Sequence, residues 1–350
     1  MPAHDQQPDE PLQLEWIRYR REMDPPLRTG RTVLAERTGL LLRVTRERDP
    51  RNAFFGEIAP LPFMGSESTE EAETALRSLP GKLTFRDYQS AAHRAGPASS
   101  FGMQSCWQSL PSRPSSVRSA ALLELDEAAP SKLARAREAG FRTFKLKCGL
   151  QEISAELQTW ASLRESLREG DRLRLDPNRA WRRIDWEKWK HHLRRDPAPV
   201  EFIEEPFPAG SLDARQLLDE AIAAPVPLAL DESLSGPDGQ FRHPEFLRKW
   251  PGWLIIKPFL LGFPGPQPLG IPGSLTGKTV FSSVFETGIG LSRLIQLANQ
   301  FAPEIDHGLD TGKHFNDELG LGHSGPRLHA LSAGEEESLW TTLYANWKHR

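Results

Sequence analysis

From residue 116 onward, short apolar runs alternate with amphipathic stretches, and five of the runs end in a charged residue: Lys147, Asp176, Glu204, Asp231 and Lys257. The steps between these five are 26 to 29 residues, about the length of one strand–helix unit. Strand-like runs fall at 120–125, 141–147, 173–176, 200–204, 227–231, 253–257, 279–283 and, more weakly, 304–307. Helices are predicted between them at 133–139, 153–168, 185–194, 214–222 and 289–301. Eight such units describe an α/β chain closing into a modified (β/α) barrel. An open doubly wound sheet also alternates, but it usually carries a glycine-rich phosphate turn after its first strand. No G-x-G-x-x-G stands here. In a barrel the five charged residues form a ring at the C-terminal mouth, where such folds place their active sites.

The N-terminal third has a different texture. Residues 14–19 and 38–45 carry strand patterning and predict an antiparallel sheet reaching to about residue 57. The turn-rich segment 25–30 reads as a mobile loop, and the first eleven residues as a frayed leader. Ser68-Thr-Glu-Glu is a capped helix start, and the spacing around 88–95 allows another helix. The Pro/Ser-rich stretch 111–116 marks a joint. The expected organisation is an α+β capping domain (1–115), the barrel (116–310), and a C-terminal segment (311–350) whose helical pattern at 335–347 returns to the cap.

A net charge of −3 and 38% hydrophobic residues exclude a disordered or nucleic-acid-seeking chain. No apolar stretch is long enough to span a membrane, and the polar, acidic N-terminus shows no signal peptide. Two cysteines, Cys106 and Cys148, are too few for a disulfide framework or a thiolate zinc site. A cytoplasmic protein with a small-molecule partner is expected; the oligomeric state stays open.

Lys145 shares a strand face with Lys147. Two ammoniums in an apolar strand need counter-charge, and the ring order Lys, acid, acid, acid, Lys supplies it. Three adjacent carboxylates repel one another and call for a divalent cation. All-oxygen ligation by Asp176, Glu204 and Asp231 points to Mg2+, with Mn2+ the second choice and zinc disfavoured. A single acid after a strand commonly caps the next helix, but five in register do not arise that way. Around the ring, Arg174 lies one layer deeper and either braces a ligand or makes an interior ion pair. Asn178 orients a ligand or makes an Asx turn. Glu205 and Glu232, each next to a ligand, point the other way, toward outer contacts. Ser282, Ser283, Gly288 and Gly290 offer hydroxyls and amides near a helix start, for a substrate carboxylate or for ordinary capping. Phe63 and Met64, with the 25–30 segment, are candidates for a lid. His307 and His314 read as surface or loop histidines, and Trp181, Trp186 and Trp189 as helix packing.

The motifs Lys145-Leu-Lys147, Asp176-Pro-Asn178, Ile203-Glu-Glu-Pro206, Leu230-Asp-Glu-Ser233 and Ile256-Lys-Pro258 resemble those of the enolase superfamily, in its muconate-lactonising-type branch. The likeness extends to Gly56-Glu-Ile-Ala-Pro-Leu-Pro, similar to the family's capping segment, and to Ser282-Ser-Val-Phe-Glu-Thr-Gly288, similar to its strand-7 loop. The resemblance implies removal of a proton α to a carboxylate. Lys147 would be the base, its proton affinity lowered by Lys145, Lys257 and the metal, and Lys257 would stay cationic on the opposite side. Arg174, the Leu-Asp-Glu-Ser run and the strand-7 loop incline the likeness to members of quinone biosynthesis, of menaquinone or phylloquinone. Those members are lyases that remove water from a hydroxycyclohexadiene carboxylate bearing a succinyl chain. N-acylamino acid racemases, dipeptide epimerases and muconate cycloisomerases use the same five residues. The epimerases usually offer an Asp-x-Asp on the strand-8 loop, which Asp306-His-Gly-Leu-Asp310 lacks. A non-catalytic barrel would have lost a ring residue, and none is missing.

Overall fold

The computed structural model describes residues 8–28, 33–107, 115–195, 199–235, 241–262, 271–321 and 325–348. Most of the leader, the tip of the 25–30 segment and residues 111–114 of the expected joint lie outside these residues.

The chain opens with β1 (Pro11–Arg28), β2 (Val33–Arg46) and β3 (Asp49–Ile58), then α1 (Thr69–Arg77), β4 (Leu83–Thr84), α2 (Phe85–Arg94) and α3 (Pro97–Ser105). The antiparallel sheet has the order β3-β2-β1-β4. Leu40, Leu42 and Val44 of β2 join the cluster that holds Ala72, Leu76, Tyr88 and Phe101. Leu41 points the other way, among Ile17, Tyr19 and Phe55. Both faces of the sheet are covered, so β2 reads as an unbroken apolar run rather than an alternating one. Ser68 and Thr84 start α1 and α2 with capping boxes to Glu71 and Asp87. The loop reading of 25–30 needs correction at its first half. After a register shift, Leu27 and Arg28 pair with Leu34 and Val33, and the two prolines sit in the shift, where the ladder needs no N–H.

The barrel follows: β5 (Ser116–Ser119), β6 (Ala121–Glu124), α4 (Ala129–Glu138), β7 (Thr143–Lys147), α5 (Ile153–Glu165), β8 (Arg172–Asp176), α6 (Arg183–Arg195), β9 (Val200–Glu204), α7 (Ala214–Ala223) and β10 (Leu228–Leu230). It continues with α8 (Pro244–Leu247), β11 (Trp253–Ile256), α9 (Pro258–Leu261), β12 (Thr279–Phe281), α10 (Gly288–Phe301) and β13 (Asp306–His307); β14 (Arg327–His329) and α11 (Ala333–Lys348) end the chain. β6 to β12 pair in sequence order. β5 and β6 are one strand kinked at Ala120, whose first half pairs with β13 and β14 and whose second half pairs with β7. The circle closes through Gly308 N–H to Phe281 O at 2.9 Å and Ser283 N–H to Gly308 O at 3.0 Å. This is the modified (β/α) barrel with an α+β cap that the spacing predicts.

Phe202, Ala229, Ile255 and Val280 form one interior layer. Period two then places Glu204, Asp231, Lys257 and Ser282 one layer higher, at the mouth. Trp181, Trp186 and Trp189 are buried packing, stacked ring on ring. His307 overturns its surface reading: it is fully buried in β13, its Nδ1 accepting from Phe281 N–H and its Nε2 bonded to Ala302 O. His314 is half-buried, its ring against Phe285. The cap meets the barrel where Phe101 of α3 packs edge-on against Phe259 of α9, centroids 4.7 Å apart. α11 covers the outer cap face, with Trp340 against Phe55 at 6.1 Å. Among the described residues no helix is long and apolar enough to cross a membrane.

Candidate active site

Five successive strand ends deliver the ring. Asp176, Glu204 and Asp231 are almost wholly buried, and Lys145, Lys147 and Lys257 stand among them. Lys145 Nζ lies between two carboxylates, 2.8 Å from Asp176 and 2.7 Å from Glu204. Lys147 Nζ is 2.9 Å from the same Asp176 oxygen and donates to Asn178 Oδ1. Lys257 pairs with Asp231. β7 and β11 lie four strands apart in the circle, so Lys147 and Lys257 approach from opposite sides.

The charges strain against one another. Burial and the neighbouring Asp176 push the Glu204 carboxyl well above its ordinary range, against the pull of Lys145. Asp176 goes the other way: burial opposes its charge, but Lys145 and Lys147 hold it low. Burial disfavours the Lys145 and Lys257 ammoniums too, and the surrounding carboxylates more than offset that. One Asp176 oxygen, Oδ2, sits close to both Lys145 and Lys147.

Among the described residues no three His, Cys, Asp or Glu side chains stand in a metal-coordinating arrangement; ammoniums occupy the space between the carboxylates. The donor set still fits a hard divalent cation. It is all oxygen and buried, and burial, then the neighbouring Asp176, raise Glu204's carboxyl against the pull of Lys145. Two ammoniums approach Asp176 Oδ2, yet it accepts no well-aligned hydrogen bond.

Above the ring lies a cavity of about 120 Å³. Of the expected residues, Lys145, Lys147, Lys257, Glu204, Arg174, Asn178, Glu232, Ser282, Ser283, Phe63 and Met64 line it. Asp176 makes the Asx turn, its Oδ1 accepting from Asn178 N–H, while the Asn178 side-chain amide turns toward Lys147 and Glu232. Arg174 makes the interior ion pair, to Glu201 at 2.6 Å, and donates to Asp306 O. Glu205 does turn outward, joining the exits of β9 and β10 by accepting from Asp231 N–H, Ser233 N–H and Arg179.

Two expectations need correction. Glu232 faces the cavity rather than away from it, because a 3-10 turn begins directly after Asp231 and breaks the strand's alternation. Burial and then Asp231 push its carboxyl up to about 7. The amides of Gly288 and Gly290 are not open to a substrate: the first donates to Leu319 O at 2.6 Å and the second to Glu57 Oε2 at 2.9 Å. Glu57 of β3 also takes Thr287 N–H and Tyr19 O–H, so the cap itself supplies the anion at the α10 N-terminus. Sequence reasoning missed this role of Glu57, and it missed Leu61, Phe285, Asp310 and Thr311 in the cavity wall. Two motifs held a signal: the capping segment 56–62, which contains Glu57 and Leu61, and the strand-7 loop, which contains Phe285.

Residues 128–243 match the family described as "Enolase C-terminal domain-like", and residues 13–110 match "MenC, N-terminal domain". The o-succinylbenzoate synthase of Thermosynechococcus vestitus is 32% identical, over 95% of this chain and 99% of that protein. The o-succinylbenzoate synthase of Klebsiella pneumoniae is 31% identical, over 84% of this chain and 89% of its own. Among solved structures, the o-succinylbenzoate synthase from Thermosynechococcus elongatus, complexed with magnesium in its active site, superposes with a TM-score of 0.78 at 29% identity, covering 94% of this chain and 99% of that one. The L-Ala-D/L-Glu epimerase from Bacillus subtilis shares the fold at 16% identity, with a TM-score of 0.71 over 92% of this chain and 96% of that one.

Proposed function

We propose, for a chain that belongs to the o-succinylbenzoate synthase family of the enolase superfamily, that Lys147 and Lys257 work across the mouth carboxylates to carry out a syn-dehydration. The enzyme is a hydro-lyase that converts 2-succinyl-6-hydroxy-2,4-cyclohexadiene-1-carboxylate to 2-succinylbenzoate. The observation that carries the residue assignment is the pair of lysines on opposite sides of a buried carboxylate ring, opening into one cavity.

Asp176, Glu204 and Asp231 would hold a divalent cation, magnesium in this reading, which supplies positive charge to the substrate carboxylate as its α-carbon loses a proton. Lys147, as the free amine, takes that proton. Its ammonium then returns a proton to the departing hydroxide from the same face, so one C–H and one C–O bond break and water leaves as the ring becomes aromatic. Asn178, held between Lys147 and Glu232, orients the lysine. Lys257 stays cationic on the other side and offsets the developing negative charge. Lys145 spans Asp176 and Glu204 and keeps both in place. The Ser282 and Ser283 hydroxyls and the apolar Phe63 and Met64 shape the cavity around the substrate. In this reading the product serves menaquinone or phylloquinone biosynthesis in the cytoplasm.

Incubation with the diene and Mg2+ should raise the absorbance of the aromatic product; EDTA should stop the reaction, and added Mg2+ should restore it. Turnover of a dipeptide or N-acylamino acid, with none of the diene, would overturn the assignment. Lys147→Ala should lower kcat by roughly 10²–10⁴-fold, and wild-type turnover in that variant would remove Lys147 from the role of base.

A further inference from the structure

Two buried arginines of the cap take no part in the chemistry above, yet both reach the loop between β12 and α10. Arg37 Nε donates to Val284 O at 2.9 Å, and its Nη1 donates to Pro60 O at 2.6 Å. Arg21 Nη1 donates to Glu286 O at 2.7 Å, while its Nε and Nη2 clamp Asp317 at 2.8 and 2.9 Å. Val284 and Glu286 flank Phe285, whose φ of 66° lies in the left-handed region, a conformation that a bulky side chain avoids unless its surroundings impose it. The Phe285 ring lines the cavity. Pro60 heads the cap segment whose Leu61, Phe63 and Met64 also line it. Arg37 thus touches the backbone behind two separate walls of the same cavity. Its Nη2 has no hydrogen-bond partner among the described residues, a costly state for a buried guanidinium.

We propose that Arg37 is a positioning residue of this enzyme: with Arg21 it holds the turn that places Phe285 in the cavity wall, and it ties that wall to the segment carrying Leu61, Phe63 and Met64. The distance between the two walls, and with it the grip on the substrate's ring and side chain, is then set from the cap. The proposal rests on the synthase reading and deepens it.

A double-mutant cycle on Arg37→Met and Phe285→Ala tests it, with KM and kcat for the diene and the Kd of 2-succinylbenzoate as readouts. Each single variant should raise KM and Kd about tenfold while leaving kcat within a few-fold. The double variant should lose clearly less than the two single effects combined, because Arg37 acts in large part through Phe285. Additive losses, an unchanged KM in a folded Arg37→Met chain, or a fall in kcat at constant KM would each overturn the proposal. Thermal unfolding reports whether the variants fold. If Arg37→Met does not, Arg37→Lys, whose single ammonium cannot bridge both carbonyls, takes its place in the cycle. Lack of diene turnover in the parent protein would instead defeat the synthase reading, so the two failures are distinguishable.

Discussion

Glu286 lies directly behind the Ser283–Phe285 wall. Its Oε2 accepts from Ser283 Oγ and Val284 N–H, and its Oε1 has no partner among the described residues. Burial, and then the charge of Glu57, push its carboxyl up to about 7, from 4.5 for an ordinary glutamate. The folded chain therefore holds this proton more tightly than the unfolded chain does between those two values. Stability from Glu286 falls as pH rises from about 4.5 to about 7 and is level above that, a loss of about 3 kcal/mol. Glu286→Gln should accordingly be more stable than the parent at pH 8 by up to about 3 kcal/mol, with the gap closing near pH 4.5. Urea titrations across that range check it, and a gap independent of pH would defeat the assignment. At this scale the ring residues were legible, because a strand end every 26 to 29 residues is a pattern in one dimension. Arg37 was not, and Glu57 stood in the capping-segment motif without its partners being legible. Each is one charge in a strand, and its partners stand 247 and 230 positions away in the chain.

Among the elements, α3 escaped the sequence reading for a physical reason. Ala98, Ser99, Ser100, Gly102 and Ser105 are all buried beside Phe101 and Met103, so the helix has no polar stripe and no visible period. Small residues let it press against β3: a Cβ at Gly102 would lie 2.2 Å from Glu57 O. Gly102→Ala should therefore destabilise the protein by about 1–3 kcal/mol through overpacking, although alanine is the better helix former. A thermal melt decides it, and an unchanged or higher Tm would show that α3 can move aside. Helices α4 to α7 were readable because each keeps one face wet. β14 was not, since three residues carry too little pattern.

Across the whole molecule, cap and barrel are joined by a packing unit drawn from three remote parts of the chain. Ile17, Tyr19, Leu41 and Phe55 from the sheet meet Ile289 of α10 and Trp340 of α11 in one cluster. Arg293 of α10 donates to Phe55 O at 2.8 Å and pairs with Glu336 of α11 at 2.9 Å, both charges buried. Glu57 sits on the first turn of the same α10, immediately after the loop that lines the cavity. The texture change near residue 116 separates cap from barrel but says nothing of this seam, which exists only once the chain ends meet. If the seam is one unit, loosening its outer side should be felt at the cavity. Trp340→Ala removes a ring packed against Phe55 and Tyr344, at a cost of about 3–5 kcal/mol for a buried tryptophan. Hydrogen exchange should then quicken in β1, β3 and the first turn of α10, while β7 to β9, which share no residue with that cluster, keep their protection. KM for the diene should rise with kcat little changed, because the reacting lysines sit on strands the substitution does not reach. Exchange quickened only within α11, or raised evenly over the whole barrel, would show that the tail is a separate cover or that the molecule opens as a single body, and in either case the cap would not be setting the cavity through α10.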